Sequence, residues 1–179
     1  MIYLIRHGEA AARWGSHPDP GLSVLGREQA TAVAETLSHL GIERIMSSPM
    51  ARCQETGRAF ASRSGLDLAI EPRVTEIPTP QDVTDRVPWL QSLMAGSWKD
   101  APELVQAWRK ALIETVASQP ASTAIFTHFV AINAIVGYLE NTDKVTVFRP
   151  NYCSLTRLDV SDTGVTLAAR GESLETKVL

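Results

Sequence analysis

The sequence predicts an α/β fold, a single-domain three-layer sandwich with a mostly parallel central sheet and helices on both faces. Three observations predict it. Short apolar runs alternate with longer segments of helical spacing for most of the chain, the pattern of parallel strands joined by helical crossovers. The first run, Ile2 to Ile5, is wholly aliphatic or aromatic and leads directly into Arg6-His7-Gly8-Glu9. That places polar chemistry at a strand's carboxyl end, where open α/β sheets hold their ligands. Finally, 179 residues with 44 % hydrophobic and 21 % charged side chains suit one domain, residues 1–179, with a full core.

The elements follow in order. After the strand at Ile2–Ile5, Ser23 to Leu40 reads as a helix. Ser23 can cap its start, Ala30, Val33, Ala34, Leu37 and Leu40 fall at helical spacing, and Gly41 ends it. Ile42 to Met46 is a second strand. Ser48-Pro49 gives an N-cap followed by proline at the first helical position, and Met50, Cys53, Gly57, Phe60 and Ala61 line one helix face down to Gly65. Leu66 to Val74 reads as an edge strand with a turn near Pro72. The Pro- and Asp-rich segment from Pro78 to Asp100 reads as a loop with one short helix. Pro102 to Ser118 is a helix, Thr123 to Thr127 a strand and Phe129 to Leu139 a buried helix. Val145 to Phe148, Ser154 to Val160 and Val165 to Ala169 close the chain as strands, the last two as a hairpin around Asp162-Thr163-Gly164. Trp89, Trp98 and Trp108 fall at positions expected to pack.

The formal net charge of −3 argues against a nucleic-acid binder, which is normally basic. Met1 opens straight into a strand, without the basic region or cleavage site of a signal peptide. The longest apolar stretch, Ala124 to Leu139, contains His128 and Asn133 and is too short to span a bilayer. Two cysteines, Cys53 and Cys153, make no disulfide framework in a chain of this size. The expected protein is soluble and cytoplasmic, with neither a nucleic-acid nor a membrane partner.

Three strand-to-helix junctions carry cationic or nucleophilic groups: Arg6-His7 after the first strand, Arg52 one turn into the helix after the second, and His128 after Thr127. In a doubly wound sheet these ends lie along one edge, so the side chains can converge on one crevice. Two arginines and two histidines beside helix N-termini form a site for a tetrahedral dianion, and the helix beginning near Pro49 is expected to add free backbone N–H groups. A buried Arg6 needs a partner, and Glu9 is the adjacent candidate. His17, in a Pro-rich loop, and His39, near a helix end, read as surface residues.

These residues resemble the histidine phosphatase superfamily, also called the phosphoglycerate mutase-like family. Arg6-His7-Gly8-Glu9 matches its signature, and Leu22-Ser23-x-x-Gly26-x-x-Gln29-Ala30 is similar to its next helix. Ser48-Pro49-Met50-Ala51-Arg52-Cys53-Gln54-Glu55-Thr56 resembles its second motif, and Thr127-His128 its last catalytic position. The resemblance implies that His7 is transiently phosphorylated, that Arg6, Arg52 and His128 bind the phosphoryl oxygens, and that a carboxylate between the second and last motifs donates a proton. That role falls on Glu76. Many relatives continue there with Gly and Trp-Glu-Gly, whereas this chain continues Pro78-Thr79-Pro80, which leaves Asp82 and Asp85 as competing acids. Phe129 stands where relatives often have a small residue, and Arg13 where mutase-like members commonly have Asn. Both changes imply an altered mouth, with Trp14 and Phe129 as walls or as packing residues.

The resemblance implies no cofactor and no metal, since two arginines supply the positive charge. It implies a small phosphorylated substrate and a phosphatase, because mutases of the family tend to be longer and this chain is short between residues 77 and 122. A phosphohistidine-protein phosphatase, a phosphoglycerate mutase-type phosphotransferase and a catalytically silent phospho-ligand binder remain as alternatives. Other chemistries fail on spacing. Cys53 to Arg58 is one residue short of a cysteine-phosphatase loop, and there is no Walker loop, H-E-x-x-H or G-x-S-x-G elbow.

Overall fold

The computed structural model describes residues 1–12 and 17–173. Six strands form one sheet in the order β3-β2-β4-β1-β5-β6. Here β1 is Ile2–Arg6, β2 Arg44–Ser47, β3 Leu68–Ile70, β4 Thr123–Thr127, β5 Leu155–Ser161 and β6 Gly164–Ala169. The first four run parallel, and β5 and β6 add an antiparallel edge beside β1. Among the described residues the α-helices are α1 (Val24–Leu37), α2 (Ala51–Ser64), α3 (Arg86–Ala95), α4 (Glu103–Ala117) and α5 (Phe129–Leu139).

Strands β1 and β4 are buried along their whole length because both sheet faces are covered. Ile2, Leu4 and Ile125 point to one core, shared with α3, α4 and α5 residues such as Leu90, Leu112 and Ile132. Tyr3, Ile5, Ala124 and Phe126 point to the other, shared with Val33 and Leu37 of α1 and Phe60 of α2. The alternation of a strand thus divides one apolar run between two cores. Phe126 is fully buried, and truncating such a residue to Ala costs about 3–5 kcal/mol.

The helix after β1 lies on one face and the helix after β4 on the other, while β1 and β4 are neighbours. Their carboxyl ends therefore flank the topological switch point, the place where such sheets open a crevice. Most sequence-expected elements are present. Ser23 caps α1 by accepting from the Gly26 N–H at 2.9 Å, and α2 ends on Gly65 in the left-handed conformation, φ 75°.

Three expectations need correction. Residues Leu66 to Val74 are not one strand: β3 covers only Leu68–Ile70, and Pro72–Val74 form a single 3-10 turn capped by the Glu71 carboxylate. Val145 to Phe148 is not a strand. Val145 and Phe148 are buried, as the apolar run requires, but the Asn133 side chain of α5 accepts from the Val147 and Phe148 N–H groups at 2.8 and 3.1 Å. A helix side chain has replaced a neighbouring strand, and periodicity records burial rather than the partner. The short helix expected in the Pro78–Asp100 segment is the ten-residue α3, capped by Asp85, and a 3-10 turn follows at Trp98–Asp100. Lastly, α2 begins at Ala51 after Met50, so Ser48 is not its N-cap.

Trp98 is buried and its ring lies 6.4 Å from that of Trp108, with Trp89 against the same core. Both cysteines are free. Among the described residues no helix is long and apolar enough to cross a membrane.

Candidate active site

The sheet positions the site directly. β1 ends at Arg6 and hands the chain to His7, whose N–H bonds the Thr127 carbonyl of β4 at 3.0 Å. Ser48, after β2, donates its N–H to the Phe126 carbonyl at 3.0 Å. Three adjacent parallel strands thus deliver His7, Ser48 and His128 to one edge, and the first turn of α2 adds Arg52. The Thr127 hydroxyl donates to the Val74 carbonyl at 2.7 Å, which pins the turn that carries Glu76 to the same edge. Arg6, His7, Arg52, Glu76 and His128 are each no more than 9 % exposed.

The backbone around His7 is clamped by the two sequence motifs that flank it. The Glu9 N–H donates to Gln29 Oε1 at 2.8 Å, and the Ser23 hydroxyl donates to Glu9 Oε1 at 2.7 Å. A Cβ on Gly8 would sit 2.6 Å from the Gly26 carbonyl oxygen, and one on Gly26 would overlap the Glu9 carbonyl. The two glycines exist because two backbones touch there. Glu9 is therefore not the partner of Arg6. Arg6 Nη1 donates to the Pro150 carbonyl at 2.9 Å, and its guanidinium lies 4.0 Å from the Tyr152 ring and 5.3 Å from Phe129. Phe129 is a buried support for Arg6 rather than an outer wall.

His7 has a defined tautomer. Its Nδ1 lies 2.7 Å from the Gly8 carbonyl, which can only accept, so Nδ1 carries the proton and Nε2 the lone pair. Arg52 Nε points at that lone pair from 3.3 Å. Arg52 Nη2 lies 3.3 Å from His128 Nδ1 and 3.4 Å from Glu76 Oε2. A guanidinium only donates, so His128 Nδ1 accepts and its Nε2 proton goes to the Ser48 hydroxyl at 2.8 Å. Glu76 Oε2 is also 3.4 Å from His128 Nδ1, while Oε1 accepts from the Ile77 N–H.

The electrostatics follow from burial among cations. Desolvation, helped by His128, Arg6 and Arg52, holds His7 well below the usual histidine range. Desolvation, then Arg52, Arg6 and Arg86, does the same to His128. Burial also lowers Arg6. Cys53 Sγ lies 3.4 Å from His128 Nε2, but burial pushes its thiol strongly up, so it stays protonated and a poor nucleophile.

All five sequence-predicted site residues come together. Asp82 is exposed, and Asp85 is occupied as the cap of α3, accepting from the Val87 N–H at 3.2 Å; of the three acids only Glu76 touches the cluster. At the start of α2, where free N–H groups were expected, two are taken: Met50 N–H bonds the Ser48 hydroxyl at 3.2 Å, and Ala51 N–H bonds Asp19 at 2.9 Å. His17 is exposed, and His39 is 3.5 Å from Glu35 at the surface. Arg13 and Trp14 lie outside the described residues. Sequence reasoning missed Tyr152, Asp19 and the contact of Ser48 with His128. Ser48 and Asp19 sit near matched motifs, but Tyr152 reaches Arg6 only because β5 pairs with β1. Among the described residues, no three His, Cys, Asp or Glu side chains are grouped as a metal ligand set.

A model of the histidine phosphatase superfamily (branch 1) matches residues 2–173. The chain belongs to that superfamily. Among curated relatives, a "Probable phosphoglycerate mutase GpmB" of Enterobacter sp. (strain 638) is 38 % identical over 81 residues, 43 % of this chain and 38 % of that one. The same-named protein of Yersinia pestis (strain Pestoides F) is 37 % identical over 81 residues, with the same coverage. The match thus spans well under half of either curated relative. Solved structures resemble the chain over nearly its whole length. A mycobacterial glucosyl-3-phosphoglycerate phosphatase complexed with VO3 has a TM-score of 0.73 at 24 % identity, covering 96 % of this chain and 99 % of that one. The alpha-ribazole phosphatase of Shigella flexneri gives 0.75 at 19 %, covering 98 % of each. The Entamoeba histolytica phosphoserine phosphatase gives 0.74 at 16 %, covering 96 % of each. At these identities the likeness carries the histidine phosphatase fold.

Proposed function

We propose that the protein is a phosphomonoester hydrolase that works through a phosphohistidine on His7 and acts on a small phosphorylated metabolite. The observation that carries the reading is the fixed tautomer of His7: Gly8 holds the Nδ1 proton, so the Nε2 lone pair faces Arg52 inside a buried cationic cluster. A histidine kept neutral by its surroundings is a nucleophile ready at neutral pH.

Nε2 attacks phosphorus as the bond to the leaving oxygen breaks. Arg52 moves from the Nε2 lone pair to the phosphoryl oxygens, and Arg6 binds them with the guanidinium donors that Pro150 leaves free. An arriving dianion favours the charged form of His128. Its Nδ1–H then donates to a phosphoryl oxygen while Nε2–H stays on Ser48. Donors aimed at developing charge in a water-poor site supply most of the rate in phosphoryl transfer. Glu76, as the carboxylic acid, gives its proton to the leaving oxygen. As the carboxylate it then takes a proton from water, which attacks phosphorus and releases His7 and inorganic phosphate. Arg6 and Arg52 supply the positive charge, so no metal enters these steps.

The names of the partly matching curated relatives favour one second reading, a phosphoglycerate mutase-type transfer from the same phosphohistidine. The short stretch between residues 77 and 122 favours hydrolysis. Purified protein should release phosphate from p-nitrophenyl phosphate with EDTA present, and from one or more members of a panel of phosphorylated metabolites and phosphohistidine peptides. Isomerisation of phosphoglycerate without phosphate release would move the assignment to the mutase. Phosphate binding without any turnover would make the protein a phospho-ligand binder.

A further inference from the structure

Asp19 is a carboxylate placed on a site built for anions. Both of its oxygens accept from the Ala51 N–H, at 2.9 and 3.2 Å, so it caps α2 from 32 residues away in sequence. Oδ1 also lies 3.7 Å from Arg52 Nη1. The other nitrogens of Arg52 are committed elsewhere, Nε to His7 and Nη2 to Glu76 and His128. Among the described residues Asp19 is the partner of Nη1. Its side chain is 43 % exposed, whereas Arg52 and Glu76 are buried. The loop that bears it is pinched at its base, where Ala10 bridges Leu22 and the Ala11 N–H bonds the Gly21 carbonyl at 2.8 Å. His17 Nδ1 accepts from the Asp19 N–H at 3.1 Å and sets the turn.

A helix N-terminal amide together with a guanidinium N–H is the donor pair that a phosphoryl oxygen seeks. Here an internal carboxylate already holds that pair. A dianion that takes Nη1 must displace Asp19 or share the nitrogen with it, and sharing sets like charges side by side.

We propose that Asp19 is a placeholder anion for Arg52. It occupies Nη1 in the free protein, yields it to a phosphoryl oxygen when substrate binds, and retakes it as product leaves. The inference rests on Arg52 as a phosphoryl ligand. Asp19 acts through Arg52 and is a positioning residue. It keeps Arg52 extended toward the cluster between turnovers and weakens retention of inorganic phosphate.

The test compares wild type with Asp19→Asn and Asp19→Ser, both of which keep an acceptor for the Ala51 N–H and so preserve the cap. Inorganic phosphate binding is measured directly by calorimetry, and competitive inhibition by phosphate and vanadate against p-nitrophenyl phosphate. An ion pair with one half-exposed partner is worth about 0.2–1 kcal/mol, so losing the competitor should tighten phosphate about 1.4- to fivefold. The tightening should be larger at low salt and smaller at high salt. A single tightening step in both variants, with thermal midpoints near wild type, supports the proposal. Unchanged or weaker phosphate binding in folded variants overturns it and makes Asp19 a cap alone. If wild type itself binds no phosphate or vanadate, the reading of Arg52 fails and the placeholder with it; if wild type binds and the variants do not tighten, only the placeholder fails.

Discussion

Arg6 and Arg52 bring the same charge to the same crevice, but the regions that hold them are built differently. Among the described residues, the groups in direct contact with the Arg6 guanidinium are the Pro150 carbonyl and the faces of Tyr152 and Phe129. Around Arg52 the partners are two imidazoles and two carboxylates: His7, His128, Glu76 and Asp19. A buried guanidinium held by dipoles and ring faces keeps its whole charge for a ligand. One held by a carboxylate and two imidazoles divides its donors among groups that must later move protons. Within the proposed mechanism the contrast suits Arg6 to binding, and Arg52 to coupling between phosphoryl binding and the acid–base groups. In that mechanism Arg52, by turning to an arriving anion, would free the His7 lone pair and loosen its hold on Glu76 in one movement.

The largest effect on this contrast should come from Glu76→Gln. An alkyl phosphate needs its oxygen protonated as it leaves, while nitrophenolate departs unaided. Turnover of alkyl phosphates should fall about 10²–10⁴-fold, with a much smaller loss for p-nitrophenyl phosphate. An equal loss on both substrates would remove Glu76 as the acid. If Asp82→Asn or Asp85→Asn reproduced the selective loss, the acid would lie in the Pro-rich segment despite its exposed position.

Arg6→Ala and Arg52→Ala should each lower kcat/KM for p-nitrophenyl phosphate about 10²–10³-fold, but in different ways. Only Arg52→Ala should also alter the ratio of alkyl to aryl turnover, because only Arg52 touches Glu76. If both variants alter that ratio alike, the division between binding and coupling is wrong.

Tyr152 sharpens the Arg6 side. A cation–π contact is worth about 0.5–2 kcal/mol, so Tyr152→Ala should raise KM by about two- to thirtyfold. Tyr152→Phe keeps the ring and should restore most of that loss, whereas Tyr152→Leu, which fills the space without a ring face, should not; equal rescue by Leu would reduce the contact to packing.

The smallest effect is on stability. Burial and the nearby arginines lower the pKa of both His7 and His128 in the folded protein. Below the ordinary value of about 6.5 the unfolded chain binds protons that the native one refuses, so stability must fall as pH drops from about 7 toward 5. The thermal midpoint should follow that direction by calorimetry, and His128→Asn should flatten the slope. A midpoint that rises on acidification would contradict the burial of neutral imidazoles.

The legible part of this molecule is the part fixed by strands and their ends. Arg6, His7 and His128 follow continuous apolar runs, and a parallel sheet aligns such ends whatever surrounds them. Arg52 was legible through its place one turn into the next helix. The Leu22-Ser23-x-x-Gly26-x-x-Gln29 pattern was visible as a resemblance, and its physical sense appears only when Ser23, Gly26 and Gln29 close on Glu9. What could not be read depends on contacts between segments far apart in sequence. Tyr152 meets Arg6 across 146 residues, Asp19 caps a helix 32 residues on, and Asn133 takes the N–H groups that made Val145–Phe148 look like a strand. Polar side chains standing in for backbone partners leave no period in the sequence.

In the proposed mechanism His7 attacks through Nε2. Acid-labile phosphohistidine should be trapped by quenching the protein in base during turnover of p-nitrophenyl phosphate, then located by peptide mass spectrometry and phosphorus NMR. One phosphoryl group is expected, on His7 at Nε2, and none in His7→Ala, whose turnover should fall to background. A phosphoryl group on Nδ1, on Ser48 or on Cys53, or turnover surviving in His7→Ala, would contradict it.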